Sequence, residues 1–545
     1  VTATDGLAAT ASDVVQDVGG SIGTELGLIG SVSATVPAAA LDTLRAEPAI
    51  ASAVVDAPLQ LTTAGWDDAT KVKFNPSTYE GTVNRVGGSI LQVDAYWAQG
   101  YDGSGVDVAL IDSGVAPVNG LTYPGKIING PDLSFEPQSD VFRHLDTFGH
   151  GTHMAGIIAG RDDGASTDDN LAFLGVAPGS RIVSVKVADE DGATDVSQVI
   201  AAIDWVVQHR NDDGLNIGVI NLSFGTDSTQ SYQLDPLAYA VEQAWKAGIV
   251  VVVAAGNDGN DAALRNPATD PFVIAVGATN SATTRPKVTS VLDFSNCGTS
   301  DRFVDVVVPG ESIASLRVPG SNADDNNPQS VVAERYMLGS GTSQAAAFVS
   351  GTAALIIDRN PEATPDQVKA LLMRNAGDRF RQTDALCVGA GLPNLEWVRN
   401  DIQSDGLPVA AQSYSASTGL GLLEDARGAD HLENDSAILE GEQDIFGNAW
   451  DGTSWSTAAA LGTSWSGGDW NGTSWSGSSW SGSSWSGTSW SGTSWSGSSW
   501  SGSSWSDTSW SDKFWSGTSW SGSSWSGSSW SGTSWSGLSW GQRPD

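Results

Sequence analysis

Six apolar runs constrain this chain most: Val106–Ile111, Ile182–Val187, Ile217–Leu222, Ile249–Ala255, Phe272–Val276 and Val304–Val308. They suit parallel strands buried on both faces. Amphipathic segments lie between them. Val196, Val199, Ile200, Ile203, Val206 and Val207 fall on one helical face. Thr364-Pro365-Asp366-Gln367 supplies an N-cap, a proline at the first helical position and a capping-box Gln before Val368–Met373. Alternating strands and helices predict an α/β fold over residues 89–430, a parallel sheet with helices on both faces. Ligands on such sheets sit beyond the carboxyl ends of the strands.

Four candidate residues fall at such edges. The first is Ser343. Small residues crowd its approach in Gly339–Gly351, and an apolar run, Ala345–Ile357, follows. This reads as a tight turn into a buried helix with Ser343 in its first turn, or as a plain N-cap by Thr342 or Ser343. The second is Asp112, where the run Val108–Ile111 ends, a usual place for a turn former. The third is His150 in Gly149-His-Gly-Thr-His153, which also reads as a histidine pair for a metal. The fourth is Asn257, after the run Ile249–Ala255, where a turn residue is common.

Taken together, the plain readings lose. Asp112-Ser-Gly, His150-Gly-Thr-His and Gly341-Thr-Ser343 stand in the order Asp, His, Ser, with Ala254-Ala-Gly-Asn257 between the last two. These motifs resemble the subtilase family closely. The resemblance implies a subtilisin-like fold and a serine endopeptidase whose chemistry needs no cofactor. Ser343 would be the nucleophile, His150 the general base and acid, and Asp112 the residue that fixes the imidazole tautomer. The Asn257 amide and the Ser343 N–H would bind the oxyanion. Asn221–Gly225, with Ser223, Phe224 and Gly225, and Ala254–Gly256 resemble the segments that line the primary pocket and pair with the substrate backbone. Arg265, before Asn266-Pro-Ala268, aligns near the base of that pocket. A cation there favours acidic or long polar side chains before the cut, unless Asp258 or Asp261 neutralises it.

The family usually has Met after the nucleophile and Pro four residues after it; here Gln344 and Ala347 stand there. The insertion Arg161–Asn170 occupies a place where relatives often hold structural calcium. Asp162, Asp163, Asp168 and Asp169 are oxygen ligands in that reading and a solvated loop in the other.

The N-terminal residues 1–61 read as a small α+β unit: a helix over Ala8–Val18, strands over Leu28–Val36 and Ile50–Val55, and a helix over Pro37–Ala46. Ser31–Leu44 followed by Ala49–Asp56 resembles the inhibitory propeptide of subtilisin-like proteases. Residues 62–88 lack periodicity and read as a linker holding the processing site. The chain's own propeptide is then a partner, as inhibitor, beside protein or peptide substrates.

Residues 431–449 are an acidic connector, and from Trp450 to Trp540 tryptophan recurs every fifth residue except at Ala460. The repeat, roughly Trp-Ser-Gly-Ser/Thr-Ser, fits neither a strand of period two nor a helix. Gly at a fixed place permits a turn per repeat. In the frame Ser/Thr-Ser-Trp-Ser-Gly the module 450–545 resembles pentapeptide-repeat proteins. That implies a β-solenoid stacking Trp470, Trp490, Trp510 and Trp530. The competing reading is a flexible tail whose tryptophans contact a polysaccharide or cell surface. A rival for the whole chain follows: a surface or matrix-binding protein with a catalytically silent α/β domain. Intact Asp112, His150, Asn257 and Ser343 argue against silence.

The net charge of −37 over 545 residues excludes nucleic acid as a partner, since phosphate binding needs a basic surface. It fits a secreted, soluble protein. No apolar run reaches membrane-spanning length. No signal peptide is visible, and a start at Val1 is what removal of one would leave. Cys297 and Cys387 either pair or stay free.

Overall fold

The computed structural model describes residues 2–3, 8–26, 31–37, 40, 43–44, 47, 49–52, 65–66, 79 and 81–465, less 135, 137–141, 170, 282–289, 378–384, 435–436 and 446–447. The chain forms two compact units. Among the described residues, one contains those of 60–429 and 450–465, the other those of 1–59 and 430–449.

The larger unit is built on a seven-stranded sheet: β1 (Asp107–Asp112), β2 (Ile127–Asp132), β3 (Arg181–Lys186), β4 (Ile217–Leu222), β5 (Val250–Ala254), β6 (Ile274–Thr279) and β7 (Val306–Pro309). The order is β7-β6-β5-β4-β1-β3-β2 and every pairing is parallel. β1, β5, β6 and β7 are buried at every residue, which is why they read as unbroken apolar runs. The edge strand β2 escaped sequence reading. Its Ile-Ile-Asn-Gly-Pro-Asp is half-buried, and Gly and Pro are tolerated at an edge.

Helices α1 (His150–Ala159) and α4 (Thr342–Arg359) pack together, α4 lying against β4, β5, β6 and β7. Helices α2 (Val196–His209) and α3 (Pro236–Lys246) form the second packed pair. α1 and α4 approach closely at Gly351, where a Cβ would lie 3.2 Å from the Ile158 carbonyl oxygen of α1. Asp195 and Gln198 form a capping box on α2, and Thr364 and Gln367 form the expected one on α5 (Pro365–Arg374). The strand order reverses between β1 and β4, so the crevice at their carboxyl ends is the switch point where ligands bind. An antiparallel pair, β8 (Ile313–Leu316) with β9 (Tyr336–Ser340), leads directly into α4.

Two boundaries differ from the sequence reading. Tyr79, Val83, Val86 and Leu91 are core residues, so the end of the 62–88 segment belongs to the sheet unit rather than to a linker. Their spacing of three to five residues follows short helical turns. At the other end, Trp450 and the helix α6 (Gly452–Ala460) belong to the same unit. Trp455 Nε1 donates to Asp204 on α2 at 2.9 Å, and Tyr239 OH on α3 donates to the Ser456 carbonyl at 2.9 Å. Here Thr457-Ala458-Ala459-Ala460 replaces the Gly and Trp of the repeat, and a helix forms. The repeats beyond residue 465, with the proposed tryptophan ladder, lie outside the described residues. Cys297 and Cys387, 90 residues apart, form a disulfide.

The smaller unit has an antiparallel sheet in the order Ser21–Leu26, Ser31–Thr35, Thr2–Ala3, Ile50–Ser52, with the helix Ala8–Asp17 against it. The strands Thr2–Ala3 and Ser21–Leu26 were not expected. The expected helix Pro37–Ala46 lies largely outside the described residues, as do Leu28–Gly30 and Ala53–Val55 of the expected strands.

Candidate active site

Asp112 is the last residue of β1 and is fully buried. His150, also buried, is the first residue of α1. Its Nδ1 lies 2.8 Å from Asp112 Oδ1 and 3.0 Å from Oδ2. Gly151 makes this approach possible, because a Cβ there would stand 2.2 Å from the Gly114 carbonyl oxygen and 3.1 Å from Asp112 Oδ1. With Nδ1 engaged as a donor, the neutral imidazole keeps Nε2 as its base. That Nε2 is buried and has no hydrogen-bond partner.

A second polar layer holds Asp112, and sequence reading missed it. Ser113 N donates to Asp112 Oδ1 at 2.8 Å, and Ser113 Oγ donates to Asp146 Oδ1 at 2.8 Å. Asp146 also accepts from the Gly149 and Thr152 amides at 2.6 and 2.7 Å. Burial pushes the Asp146 carboxyl above its ordinary range, against hydrogen bonds from Thr152, Gly149 and Ser113. Lys186, paired with Glu136 at 2.5 Å, donates to the Ser113 carbonyl at 3.1 Å. Ser113 beside Asp112 was a local signal. Asp146 lies 33 residues from Ser113, and nothing local announced it.

Ser343 is fully buried in the first turn of α4. The helix starts at Gly341, with no side-chain cap, so Thr342 is not the N-cap. Thr342 instead ties α4 to the Asn257 loop. Its N–H donates to Asn257 Oδ1 at 2.9 Å, and its Oγ1 to the same oxygen at 3.1 Å. Both bonds fix the amide so that Nδ2 is its free end, and Nδ2 is buried without a partner. The Gly256 N–H donates to Thr342 Oγ1 at 3.2 Å.

Of the pocket segments, Ser223 is buried, Phe224 packs into the core, and Ala254 ends β5. Arg265 lies against both Gly225 and Gly256. Its Nε and Nη2 donate to Asp258 Oδ2 and Oδ1, both at 2.7 Å, so Asp258 is the neutralising partner. This pairing and the hydrogen bond from Asn296 hold the Asp258 carboxyl below its ordinary range.

His153 Nε2 sits 3.1 Å from both the Ile313 and Met337 carbonyls. Burial and the nearby His150 push His153 down to about 3, so its Nε2 is a neutral donor engaged by those carbonyls. In the 161–170 insertion Asp162 is ion-paired with Arg335 and accepts from the Phe173 amide at 2.9 Å. Asp168 is bonded to Ser166, and Asp169 accepts from the Leu171 and Ala172 amides. The aspartates do not converge, and among the described residues no three metal-ligating side chains gather. The described insertion does not fit a calcium site.

A buried carboxylate–imidazole pair and a serine in the first turn of a helix are parts that a serine hydrolase site requires. Residues 103–391 match the Subtilase family. Serine protease AprX of Bacillus subtilis (strain 168) is 37% identical over 302 residues, 54% of this chain and 66% of its own length. Subtilisin E of the same organism is 32% identical over 394 residues, 70% of this chain and 84% of its own. A solved cold adapted subtilisin-like serine proteinase is 31% identical, covering 54% of this chain and 88% of its own at a TM-score of 0.40. The chain belongs to the subtilase family and is a subtilisin-like serine endopeptidase.

Proposed function

We propose that this is a secreted endopeptidase that hydrolyses peptide bonds through Asp112, His150 and Ser343 and an acyl-enzyme. The carrying observation is a pair of buried, unpartnered polar atoms, His150 Nε2 and Asn257 Nδ2, whose side chains are otherwise fully engaged. Such atoms are costly unless a ligand uses them. Ser343 Oγ attacks the carbonyl carbon while His150 Nε2 takes its proton; the same proton then goes to the leaving amine. Asp112 stabilises the imidazolium. Asn257 Nδ2 and the Ser343 N–H receive the developing oxyanion. The backbones of Ser223–Gly225 and Ala254–Gly256 pair with the extended substrate. Replacing Ser343 by Ala should abolish turnover and leave the fold intact; unchanged peptidase activity would refute the assignment.

The chain is also read as a self-inhibited zymogen, with residues 1–61 as its inhibitor. The supporting observation is a short antiparallel pairing, Trp66 with Gly339 and Gly65 with Ser340, on the strand that runs into Ser343. Wild-type protein should cut itself between Leu61 and Ser89, within a few residues of Gly65. Ser343→Ala protein should stay full length, and maturation of that variant at the wild-type rate would assign processing to another protease. Secretion is supported by the acidic charge and by the disulfide, which persists in oxidising compartments. Among the described residues no helix is long and apolar enough to cross a membrane.

A further inference from the structure

We propose that Asn296 is a positioning residue for the oxyanion donor: it grips the backbone on both sides of Asn257 and so sets where Asn257 Nδ2 stands. The inference rests on the peptidase reading of the same site and deepens its oxyanion step.

Asn257 follows β5 in a stretch that is neither helix nor strand. A donor on such a stretch is only as well placed as the backbone that carries it. The Asn257 side chain is tied to α4 through Thr342. The backbone around it is tied to Asn296, which is buried. Asn296 N donates to the Gly256 carbonyl at 3.1 Å, and Asn296 Oδ1 accepts from the Asp258 N–H at 2.6 Å. The residues before and after Asn257 are therefore bound to one residue. Asn296 Nδ2 donates to Asp258 Oδ2 at 2.9 Å and to the Ala263 carbonyl at 2.7 Å. Both amide hydrogens and the amide oxygen are thus engaged on the one loop. The amide also lies directly against Gly256, where a Cβ would stand 2.5 Å from Asn296 Nδ2.

The segment around Asn296 is itself braced. Gly259 N donates to the Phe294 carbonyl at 2.9 Å, and Gly298 N to the Ala262 carbonyl at 3.0 Å. Asn260 Nδ2 donates to the Leu292 and Ser295 carbonyls, both at 2.8 Å. Cys297, the next residue, is bonded to Cys387 in the helix Ala385–Val388. The residues after that helix join the sheet edge: Ala390 N donates to the Asp305 carbonyl at 2.9 Å, and Val307 N on β7 donates to the Gly391 carbonyl at 3.0 Å. The Asn257 loop is fastened through Asn296 and Cys297 to the β7 edge of the sheet. Such support suits a donor that must already stand where charge develops.

The test compares full-length wild type, Asn257→Ala, Asn296→Ala and the double variant. Each is incubated until Ser343 labels with a phosphonofluoridate, and kcat and KM are measured on one fluorogenic peptide that wild type cleaves. Asn296→Ala should lower kcat by about 10–10²-fold with little change in KM, the usual effect of a small misplacement. In the Asn257→Ala background no donor remains to be placed, so the same substitution should lower kcat no further. Asn296→Ser should show a smaller loss of the same kind, and it carries the test if Asn296→Ala does not fold. Unchanged kcat in the Asn296 variants overturns the inference. A loss that appears in KM, or that multiplies with the loss in Asn257→Ala, overturns it equally, because a merely structural residue would act in that way. Those outcomes keep the peptidase reading, since Ser343 still labels and Asn257→Ala still lowers kcat. Wild-type kcat in Asn257→Ala would remove the oxyanion reading and the inference with it.

Discussion

Structural and functional helices begin differently in this protein. α2, α3 and α5 start under their own side chains: Asp195, Asp235 and Thr364 accept from the first-turn amides. α1 and α4, which carry His150 and Ser343, start at Gly149 and Gly341 with no side-chain cap. Their first amides are satisfied from elsewhere. Asp146 takes Gly149 and Thr152, Ser113 takes Gly151, and Asn257 takes Thr342. In the structural helices local sequence completes the backbone. In the functional ones the same orphan donors bind residues of the site, so each helix start is fixed relative to Asp112 or Asn257. Gly149 suits this role because its φ is +100° and a Cβ would meet Ser321 Oγ at 2.5 Å.

The comparison breaks most visibly at Ser343. Ser343→Ala should lower kcat by about 10⁶-fold, the size established for subtilisin itself, with an unchanged melting temperature. Asn257 separates its two duties. Asn257→Ala loses both the acceptor for Thr342 and the oxyanion donor, whereas Asn257→Asp keeps an acceptor for Thr342 and loses the donor. Both should lower kcat by about 10²–10³-fold with little change in KM, again the range known from subtilisin. The Ala variant should also lose about 1 kcal/mol of stability by urea titration, because the Thr342 N–H and Oγ1 lose their acceptor. Unchanged stability would remove that role.

Asp146 sharpens the same point through pH. Its carboxyl is raised in the folded protein, so folding takes up a proton. Its contribution to stability is fully present below the unfolded value and falls as pH rises through the raised folded one. Asp146→Asn should flatten that part of the stability–pH curve above about pH 4, measured as melting temperature across pH 4–8. An unaltered slope would show that another group titrates there. The smallest effect belongs to an ordinary cap. Thr364→Ala should cost about 1 kcal/mol of stability and leave kcat and KM unchanged.

Much of this was legible because the relevant signals are local. All six apolar runs became sheet strands, since a strand covered on both faces has no reason to alternate. Asp112, His150 and Ser343 stood out because each sits in a short motif at a strand or helix end. What was illegible depends on pairs distant in sequence. Asp146 supports Asp112 through Ser113 only in the fold. The edge strand β2 and the early core residues Val83 and Val86 had weak patterns, because edges and short turns bury little continuous surface. The helix α6 was hidden by its setting: Ala458–Ala460 reads as a lapse in a repeat, yet it is the stretch that lets Trp455 reach Asp204.

Stoichiometric labelling with a phosphonofluoridate, followed by peptide mapping, tests the central claim most directly. The reagent reports only a serine activated by a base and aided by an oxyanion site. One adduct per chain, on Ser343, is expected in wild-type protein, with labelling slowed in Asn257→Asp and absent in His150→Ala. An adduct on a different serine, or equal labelling of the wild-type and His150→Ala proteins, would contradict the account.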